Sequence, residues 1–427
     1  MILTLFIVLA VTLLMGIPVG FSIGISTMLA VAVGGSVPVV IVTQKMVDGI
    51  NSFPLMALPL FVLSGVIMAY GSTPRIMALV NLLLRKKRWG LGSADIYGCA
   101  AFGTISGSGV ATTAAIGSVI APEMVKQGYP KGYVASLTGG AGTLGAIIPP
   151  SIGFVVYAQV ANVSISDMFM AGIIPGIVTA ILLATMNKFF VKKYDWIKGN
   201  TDYYDKMTFA TKRKIVLDAI LPLLMPIFIL GGVLSGIVTP TEAATVATVY
   251  ALILAALIYK ELSLKKLFKV FVDSVISSAA VLIIISAAAP FAWVMTSQGI
   301  TSAIASWVLS LSHSIVIVYG AILVINLILG TFMETLALIL ITTPMFLPIL
   351  VSFGVDPVAF GITQALALGV GAVTPPLAVT LFTACKIVKI RVDETFPWVI
   401  YVCIVMFVGV LLSAIFPIMS TFLPSIL

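Results

Sequence analysis

The sequence has little charge, few cysteines and a single histidine. Only 9% of its 427 residues are charged, and its three cysteines, Cys99, Cys385 and Cys403, lie in apolar segments without CxxC or metal-ligand spacing. They are therefore expected to be inert buried thiols. The histidine, His313, belongs to a polar SLSHS patch. The chain also lacks an HExxH motif, a Ser–Lys or Ser–His dyad and paired aspartates, so an intramembrane enzyme is not predicted.

Apolar residues dominate the composition instead. The chain is 60% hydrophobic with a mean hydropathy of +1.21, which is more apolar surface than a soluble domain can bury. It is predicted to be an all-α, multi-pass membrane protein. The net charge of +8 does not indicate nucleic-acid binding, because the basic residues are confined to short loops. The first twenty residues lack a basic n-region and are interpreted as a retained first span.

The chain divides into two hydrophobic halves, residues 1–187 and 215–427, joined by a charged segment at residues 188–214. That segment is predicted to be a cytoplasmic linker, since it is too short to hold a core of its own. Motifs of the first half recur in the second half, in the same order and at nearly the same spacing, which predicts an internal repeat. The recurring pairs are Gly103-Thr104 with Gly330-Thr331, Pro130 with Pro357, Pro149-Pro150 with Pro375-Pro376, and Asp167 with Asp393.

The distribution of basic residues indicates that the two halves have opposite orientations. The positive-inside rule places four clusters of Lys and Arg on the cytoplasmic side, at residues 85–88, 188–214, 260–269 and 386–391. The second-half counterpart of the first cluster, residues 297–314, contains no Lys or Arg. Inverted-topology repeats, which are typical of secondary transporters, are therefore predicted. Both termini are predicted to lie outside, with Lys45 alone on the unexpected side.

Each half contains a double proline inside an apolar segment, in GAIIPPS at residues 145–151 and GAVTPPL at residues 371–377. Proline has no N–H, so carbonyl oxygens one turn earlier lose their helical partners and must face protein or water. Two broken helices are predicted, at about residues 131–160 and 357–384, each unwound near the preceding glycines. Unwound carbonyls suit Na⁺ and the following helix N-terminus suits an anion, whereas simple proline kinks are the alternative interpretation.

Each half also contains an apolar segment with a polar centre, at about residues 89–126 and 315–351. The arms on either side of the centre are shorter than the roughly 20 residues needed to span a bilayer. Both segments are therefore predicted to be re-entrant hairpins. Their tips are expected at GTISGSG, residues 103–109, and at GTFMET, residues 330–335.

The two tips offer different ligand chemistry. Ser106 and Ser108 supply hydroxyl oxygens at the first tip, and Glu334 places a costly carboxylate deep in an apolar stretch at the second. The alternatives are a GxxxG packing face from Gly103 to Gly107, and a Glu334 that is interfacial or structurally paired. Because the first tip has SGSG where the second has METL, two cation sites built on them cannot be chemically identical.

Two amphipathic segments are candidates for arms that link a fixed scaffold to a moving core. Residues 72–90 are basic and end near Trp89, as expected for a helix along the cytoplasmic interface. The inverted partner, at about residues 300–312, would lie along the outer interface. A surface anchor is the equally favoured alternative. Glu242, in TPTEAAT, is predicted to be structural.

Four sequence runs together resemble the large membrane subunit of tripartite ATP-independent periplasmic (TRAP) transporters, over essentially the whole chain. These runs are ALPLFVLSGVIMAYG, GTISGSGVATTAAIG, GYPKGYVASLTGGAGTLGAIIPPSIGFVVYA and PTEAA. The resemblance implies an elevator-type, Na⁺-driven importer in a bacterial inner membrane, with no other cofactor. It also implies two partners, a small four-helix membrane subunit (Q type) and a periplasmic substrate-binding protein (P type) that delivers an organic acid.

The resemblance also implies site residues. Those that match the family's sodium-site elements are Ser106, Ser108, Gly145, Ile148, Pro150, Gly330, Glu334, Gly371, Thr374 and Pro376. Those expected to contact substrate are Ser106, Gly107, Thr143, Pro149 and Thr331. No basic residue sits at a hairpin tip, so a carboxylate is expected to be held by helix dipoles and hydroxyls.

Substrate choice is weakly specified, because family members carry C4-dicarboxylates, sialic acids or other carboxylates. Overall likeness favours N-acetylneuraminate. The alternative function is a stand-alone Na⁺/dicarboxylate carrier of related fold, which would need no binding protein.

Overall fold

The computed structural model describes residues 1–35, 37–84, 87–196, 208–300, 303–304, 306 and 314–426. Within these ranges every regular element is helical, as the composition predicts. The α-helices are α1 (Ile2–Leu14), α2 (Val19–Gly34), α3 (Val40–Ile50), α4 (Ala57–Gly71), α5 (Thr73–Leu84), α6 (Gly90–Ser106), α7 (Gly109–Lys126), α8 (Lys131–Gly142), α9 (Leu144–Ile147), α10 (Ile152–Ala161), α11 (Ile165–Tyr194), α12 (Phe209–Leu234), α13 (Pro240–Leu252), α14 (Leu264–Ser297), α15 (Ile315–Gly330), α16 (Thr335–Ser352), α17 (Pro357–Gly371), α18 (Val379–Val388), α19 (Trp398–Ile415) and α20 (Ile418–Ile426).

Many of these helices are long and apolar enough to cross a membrane. The described ranges contain six such helices, or up to eight spans when each bent helix pair counts as one. One bent pair joins α3 to the segment Phe53–Ala69 at an angle of 65°, and the other joins Lys131–Ile147 to Ile152–Ala161 at 48°. The prediction of an all-helical, multi-pass protein is confirmed.

Two helical hairpins occupy matching places in the two halves, close to their predicted limits. Hairpin 1 consists of α6 and α7, joined by Gly107 and Ser108, and hairpin 2 consists of α15 and α16, joined by residues 331–334. The first turn is tighter than expected, because α6 continues through Ser106. Gly107 has φ +62°, and a Cβ atom there would lie 2.9 Å from the Pro150 carbonyl oxygen. Glycine adopts this positive φ without strain and leaves room for the Pro150 carbonyl oxygen, whereas a residue with a Cβ atom does neither easily.

Two broken helices pack beside the hairpins. In broken helix 1, α8 and α9 lead to a break at residues 148–151, and α10 follows; in broken helix 2, the break lies between α17 and α18. The expectation that the preceding glycines unwind is wrong in both broken helices, because α8 stays helical through Gly142 and α17 stays helical through Gly371. A Cβ atom on Gly139 would lie 3.0 Å from the Leu381 Cα atom, so this glycine allows close packing on α18.

Buried apolar side chains form two clusters. The smaller cluster joins α1, α2, α3 and the C-terminal half of α14. The larger cluster contains side chains of both hairpins and both broken helices, together with side chains of α4, α11, α12, α13 and α19. Helix α4 packs against α13 and α14, and α14 packs against α2 and α3. Helices α4 and α14 therefore stand between the N-terminal helices and the hairpins.

Several predicted segments fall partly outside the described residues. These are residues 85–86 of the first basic cluster, residues 197–207 of the linker, most of the second predicted arm at residues 300–312, and His313. The first predicted arm contains α5, whose Thr73, Ile76 and Met77 are buried. Glu242 forms a reciprocal cap with Thr239 at the start of α13, which agrees with a structural role.

Candidate functional site

A cavity of about 420 Å³ lies where the two hairpin tips meet the two broken helices. Helices α4 and α14 close its remaining side through Val62, Gly65, Val66, Ala69, Ser277 and Val281. Polar side chains are few among the described lining residues, and Glu334 is the one ionisable group. The hydroxyl groups at the wall belong to Ser106, Ser108, Thr143, Ser277, Thr335 and Thr380.

At the first tip, three oxygen atoms lie close together, and two of them contact a glycine of broken helix 1. The hydroxyl oxygens of Ser106 and Thr112 are 2.6 Å apart, and the Ser106 hydroxyl lies 3.4 Å from the Ser108 carbonyl oxygen. A Cβ atom on Gly145 would overlap the Thr112 hydroxyl and lie 2.9 Å from the Ser108 carbonyl oxygen. Backbone atoms of Gly145 therefore approach this oxygen cluster directly. Hydroxyl and carbonyl oxygens close together are suitable ligands for a hard cation.

At the second tip, a carboxylate replaces the serine hydroxyl. Glu334 is the N-cap of α16, and its side chain accepts hydrogen bonds from the N–H groups of Leu336 at 3.0 Å and Ala337 at 3.2 Å. Ser108 is the N-cap of α7, and its hydroxyl accepts from the Ala111 N–H at 3.4 Å. The two caps occupy equivalent positions in the repeat. The structure therefore explains how a carboxylate is tolerated here, although Glu334 also lines the cavity.

The tips contact the broken helices in the same way in both halves. A Cβ atom on Gly103 would lie 2.7 Å from the Gly145 Cα atom, and one on Gly371 would lie 2.6 Å from the Gly330 Cα atom. The Ile152 N–H donates to the Gly107 carbonyl at 3.3 Å, and the Leu377 N–H donates to the Thr331 carbonyl at 2.9 Å. Each tip is thus held to its broken helix by a glycine–glycine contact and a backbone hydrogen bond.

Two of the carbonyl groups freed by the prolines have hydroxyl partners. The Ser151 hydroxyl donates to the Ala146 carbonyl at 2.6 Å. In the other half, the Thr380 hydroxyl and backbone N–H donate to the Ala372 carbonyl at 2.9 Å and 3.2 Å. A carbonyl oxygen has two lone pairs, so one donor does not prevent it from binding a cation. Ser151 and Thr380 thereby stabilise the breaks that the prolines begin.

Four helices begin at the cavity wall. The first residues of α7, α10, α16 and α18 all contribute to the lining. The N–H groups of a first helical turn have no intrahelical partners, and the helix dipole adds positive potential at that end. Because none of the described lining residues is basic, these N-termini are the main source of positive potential for an anion.

The predicted site residues separate into two groups. Ser106, Gly107, Ser108, Thr143 and Glu334 line the cavity. The other predicted site residues are not among the described residues that line the cavity. They lie at the helix breaks or at the contacts between tips and glycines, and they are Gly145, Ile148, Pro149, Pro150, Gly330, Thr331, Gly371, Thr374 and Pro376.

Thr374 faces a different surface from the other predicted ligands. Its hydroxyl donates to the Val370 carbonyl at 2.8 Å and lies 3.3 Å from the Cys403 sulphur. Together with Pro375 it borders a separate, apolar pocket against α19. Its backbone, rather than its hydroxyl, is therefore the part available to a cation between hairpin 2 and broken helix 2.

Sequence reasoning missed three residues at the site. Thr112 lies one turn beyond the first tip, where the ATTAA run is the only signal for it. Ser277 and Gly65 come from α14 and α4, which belong to neither hairpin. A Cβ atom on Gly65 would lie 3.0 Å from the Ser106 Cα atom, so α4 touches the backbone of the first tip.

In the described part of the chain, no three His, Cys, Asp or Glu side chains come together to form a cluster of metal ligands. The oxygen atoms at the two tips come instead from hydroxyls, backbone carbonyls and one carboxylate. This donor set fits an alkali-metal ion better than a transition metal.

The comparisons with known proteins agree on one family. The family model described as "Tripartite ATP-independent periplasmic transporter, DctM component" matches residues 6–419. The isethionate TRAP transporter permease protein DctMQ of Oleidesulfovibrio alaskensis is 38% identical over 90% of this chain, which spans 60% of that relative's length. The C4-dicarboxylate permease DctM of Rhodobacter capsulatus is 32% identical, with 97% of each chain covered. The sialic acid permease SiaM of Vibrio cholerae is 31% identical, covering 96% of this chain and 95% of the relative.

A solved structure agrees at the level of fold. The YdaH transporter of Alcanivorax borkumensis superposes with a TM-score of 0.61 at 14% sequence identity, covering 87% of each chain. Identity this low supports a shared fold and no more.

Proposed function

Because the chain belongs to the DctM-component family of tripartite ATP-independent periplasmic transporters, we propose that it is the large permease subunit of a sodium-coupled importer of an organic anion. The observation that carries this proposal is the convergence of two hairpin tips and two broken helices on one cavity. That arrangement brings cation-binding oxygens and anion-binding helix N-termini within one site.

Sodium binding is supported by the chemistry of the tips. The first candidate site lies among the Ser106 and Thr112 hydroxyls, the Ser108 carbonyl and the backbone near Gly145. The second lies between Glu334 and the backbone of broken helix 2. Both sites offer only oxygen atoms, which is what a hard, monovalent cation requires.

The charge of Glu334 gives a reason for coupling. An anion at the cavity wall meets this carboxylate, and two like charges 4 Å apart repel by about 4 kcal/mol at an effective dielectric constant of about 20. A cation bound at Glu334 removes that repulsion. The positive potential of the helix N-termini then attracts the anion without repulsion from the carboxylate. Anion binding is therefore expected to depend on prior cation binding.

An elevator-type movement is supported by the two-sided construction of the cavity. The hairpins and broken helices form one side, and α4 and α14 form the other. Gly65 presents bare backbone to the first tip, which is a smooth surface for sliding. We infer that the hairpins and broken helices move as a unit against α4 and α14.

The proposed partners are a small four-helix membrane subunit and a periplasmic substrate-binding protein, as the family name "tripartite" suggests. The isethionate relative is named as a combined DctMQ permease, and this chain corresponds in length to part of it. The proposed location is a bacterial inner membrane with both termini periplasmic.

The substrate class is an organic anion, and similarity does not separate the candidates within it. Relatives named for isethionate, C4-dicarboxylate and sialic acid are 38%, 32% and 31% identical. N-acetylneuraminate remains our first candidate, and the other two compounds belong in the same assay. A stand-alone Na⁺/dicarboxylate carrier is the alternative function, which would transport without a binding protein.

The decisive experiment is uptake of labelled N-acetylneuraminate, succinate or isethionate into proteoliposomes that contain this chain and its small subunit. Each compound is tested with and without an inward Na⁺ gradient, and with and without the binding protein. Uptake that requires both supports the proposal. Uptake without the binding protein supports the stand-alone carrier, and uptake driven by a proton gradient alone contradicts sodium coupling.

A further inference from the structure

A second carboxyl group lies inside hairpin 1, away from the cavity. Asp95 is on α6, eleven residues before Ser106, which corresponds to roughly 16 Å along the helix. Its side chain is completely buried. One carboxyl oxygen accepts a hydrogen bond from the Thr138 hydroxyl of α8 at 2.7 Å, and the other has no hydrogen-bond partner.

Among the described residues, none places a charge beside Asp95 that would compensate an ionised carboxylate. The titratable groups that face it are Cys99, one turn further along α6, and Tyr133 of α8. The Tyr133 hydroxyl itself donates to Asn187 at 3.0 Å. The other helices packed on α6 are α4, α5, α7, α9, α11 and α12, and none of them places a described Lys, Arg, Asp or Glu side chain against Asp95.

The second half of the repeat shows that structure alone does not demand a carboxyl group at this depth. Counted from the matched Gly103 and Gly330, Asp95 aligns with Ile322, a buried apolar residue; counted from the matched Pro149 and Pro375, Thr138 aligns with Gln364. Gln364 donates to Thr342 at 2.7 Å and accepts from Thr343 at 3.0 Å, and Thr342 donates to Asn326 at 3.0 Å. This network is neutral and its side-chain oxygens have partners. Asp95 is therefore a difference between the halves.

A fully buried carboxylate needs hydrogen bonds to both oxygens or a neighbouring cation. A protonated carboxyl group needs much less, because Thr138 already satisfies one oxygen and the proton neutralises the other. We propose that Asp95 is a proton-binding site within hairpin 1, separate from the cation sites at the hairpin tips. The proton comes from a hydronium ion of the surrounding water: one hydronium O–H bond breaks as the O–H bond to the unpartnered carboxylate oxygen forms, and a water molecule is released.

The test is infrared absorption of the full-length protein in lipid nanodiscs, recorded as wild type minus variant. Asp95→Asn keeps the shape and the Thr138 hydrogen bond, so the difference spectrum is expected to show one carbonyl band of a protonated carboxylic acid at neutral pH. Thr138→Val removes the hydrogen bond, so the same band is expected to move to higher frequency. The matched control is Asp48→Asn, since this carboxylate is 65% exposed and pairs with Lys45; wild type minus this variant should show no carboxylic-acid band.

Two results would overturn the proposal. One is the absence of a difference band for Asp95→Asn at neutral pH, which would mean that Asp95 is ionised. The other is a band that disappears when Na⁺ replaces K⁺ in the buffer, which would make Asp95 a sodium ligand. If Asp95→Asn does not fold, the Thr138→Val shift decides the question, because an ionised Asp95 would give no acid band to shift. The measurement does not depend on transport, so it is independent of the proposed sodium coupling.

Discussion

The glycine contact between hairpin 2 and broken helix 2 offers a sharp test of the proposed sodium site. A Cβ atom added at Gly371 would lie 2.6 Å from the Gly330 Cα atom and 2.5 Å from its carbonyl carbon. Ordinary carbon contacts begin at about 3.5 Å, so the tip and the broken helix must separate by roughly 1 Å. The atoms in the way belong to the backbone, and no side-chain rotation can relieve the overlap.

The size of the effect of Gly371→Ala follows from two opposing contributions. Overpacking at a tight contact costs about 1–3 kcal/mol, and the better helix propensity of alanine offsets up to about 1 kcal/mol of that. A net loss of about 1–2 kcal/mol in the closed, sodium-bound arrangement corresponds to a roughly 5- to 30-fold weaker apparent Na⁺ affinity.

The assay is the rise in unfolding temperature of the purified protein as Na⁺ is titrated against K⁺ at constant ionic strength. Gly320→Ala is the matched control, because Gly320 lies on α15 of the same hairpin and a Cβ atom there meets nothing within 4 Å. The control is expected to keep wild-type Na⁺ affinity and equal or higher stability. Equal Na⁺ affinities in the two variants would refute a sodium site at this contact.

Three further substitutions test other parts of the site. Glu334→Gln is expected to weaken Na⁺-dependent stabilisation at least tenfold, about 1.4 kcal/mol. The control is Glu123→Gln, at an exposed carboxylate paired with a lysine, which should change this stabilisation by no more than about 0.5 kcal/mol. Similar losses in both variants would argue against a cation at Glu334. Thr112→Val removes a hydroxyl 2.6 Å from that of Ser106 and is expected to weaken Na⁺ binding by about 1–3 kcal/mol, and Ser118→Ala, on the exposed face of the same helix, serves as its control in the same titration. Gly65→Val is expected to abolish uptake in proteoliposomes, because its side chain would press on the Ser106 backbone of the first tip and block movement of that tip along α4; normal uptake would contradict sliding of the first tip past α4.

The sequence predicted the parts of the site that depend on local chain geometry. Double prolines cannot continue a helix, and both breaks lie where these prolines occur. Polar residues in the middle of an apolar run mark a chain reversal, and both helical hairpins turn at such residues. Each of these signals acts over a few neighbouring residues, which is why one sequence was sufficient.

Contacts between separate segments of the chain could not be predicted from the sequence. Gly139 and Gly142 were expected to unwind a helix, but they remain helical and allow other segments to approach. Whether a glycine loosens a helix or permits close packing depends on what lies opposite, and that is decided by tertiary structure. The wall formed by Gly65 and Ser277 was missed for the same reason, since neither residue stands in a recognisable motif.

The unequal helix caps at the cavity have an electrical consequence. Ser108 is neutral, so with Glu334 ionised an empty site carries a net charge of about minus one. If each tip binds one Na⁺ and the substrate brings one negative charge, the loaded site is neutral. A membrane potential of 100 mV acts on one elementary charge with about 2.3 kcal/mol. Voltage would then act mainly on the return of the empty transporter, which is driven towards the outside by a negative interior, and hardly at all on the inward step that carries the cargo.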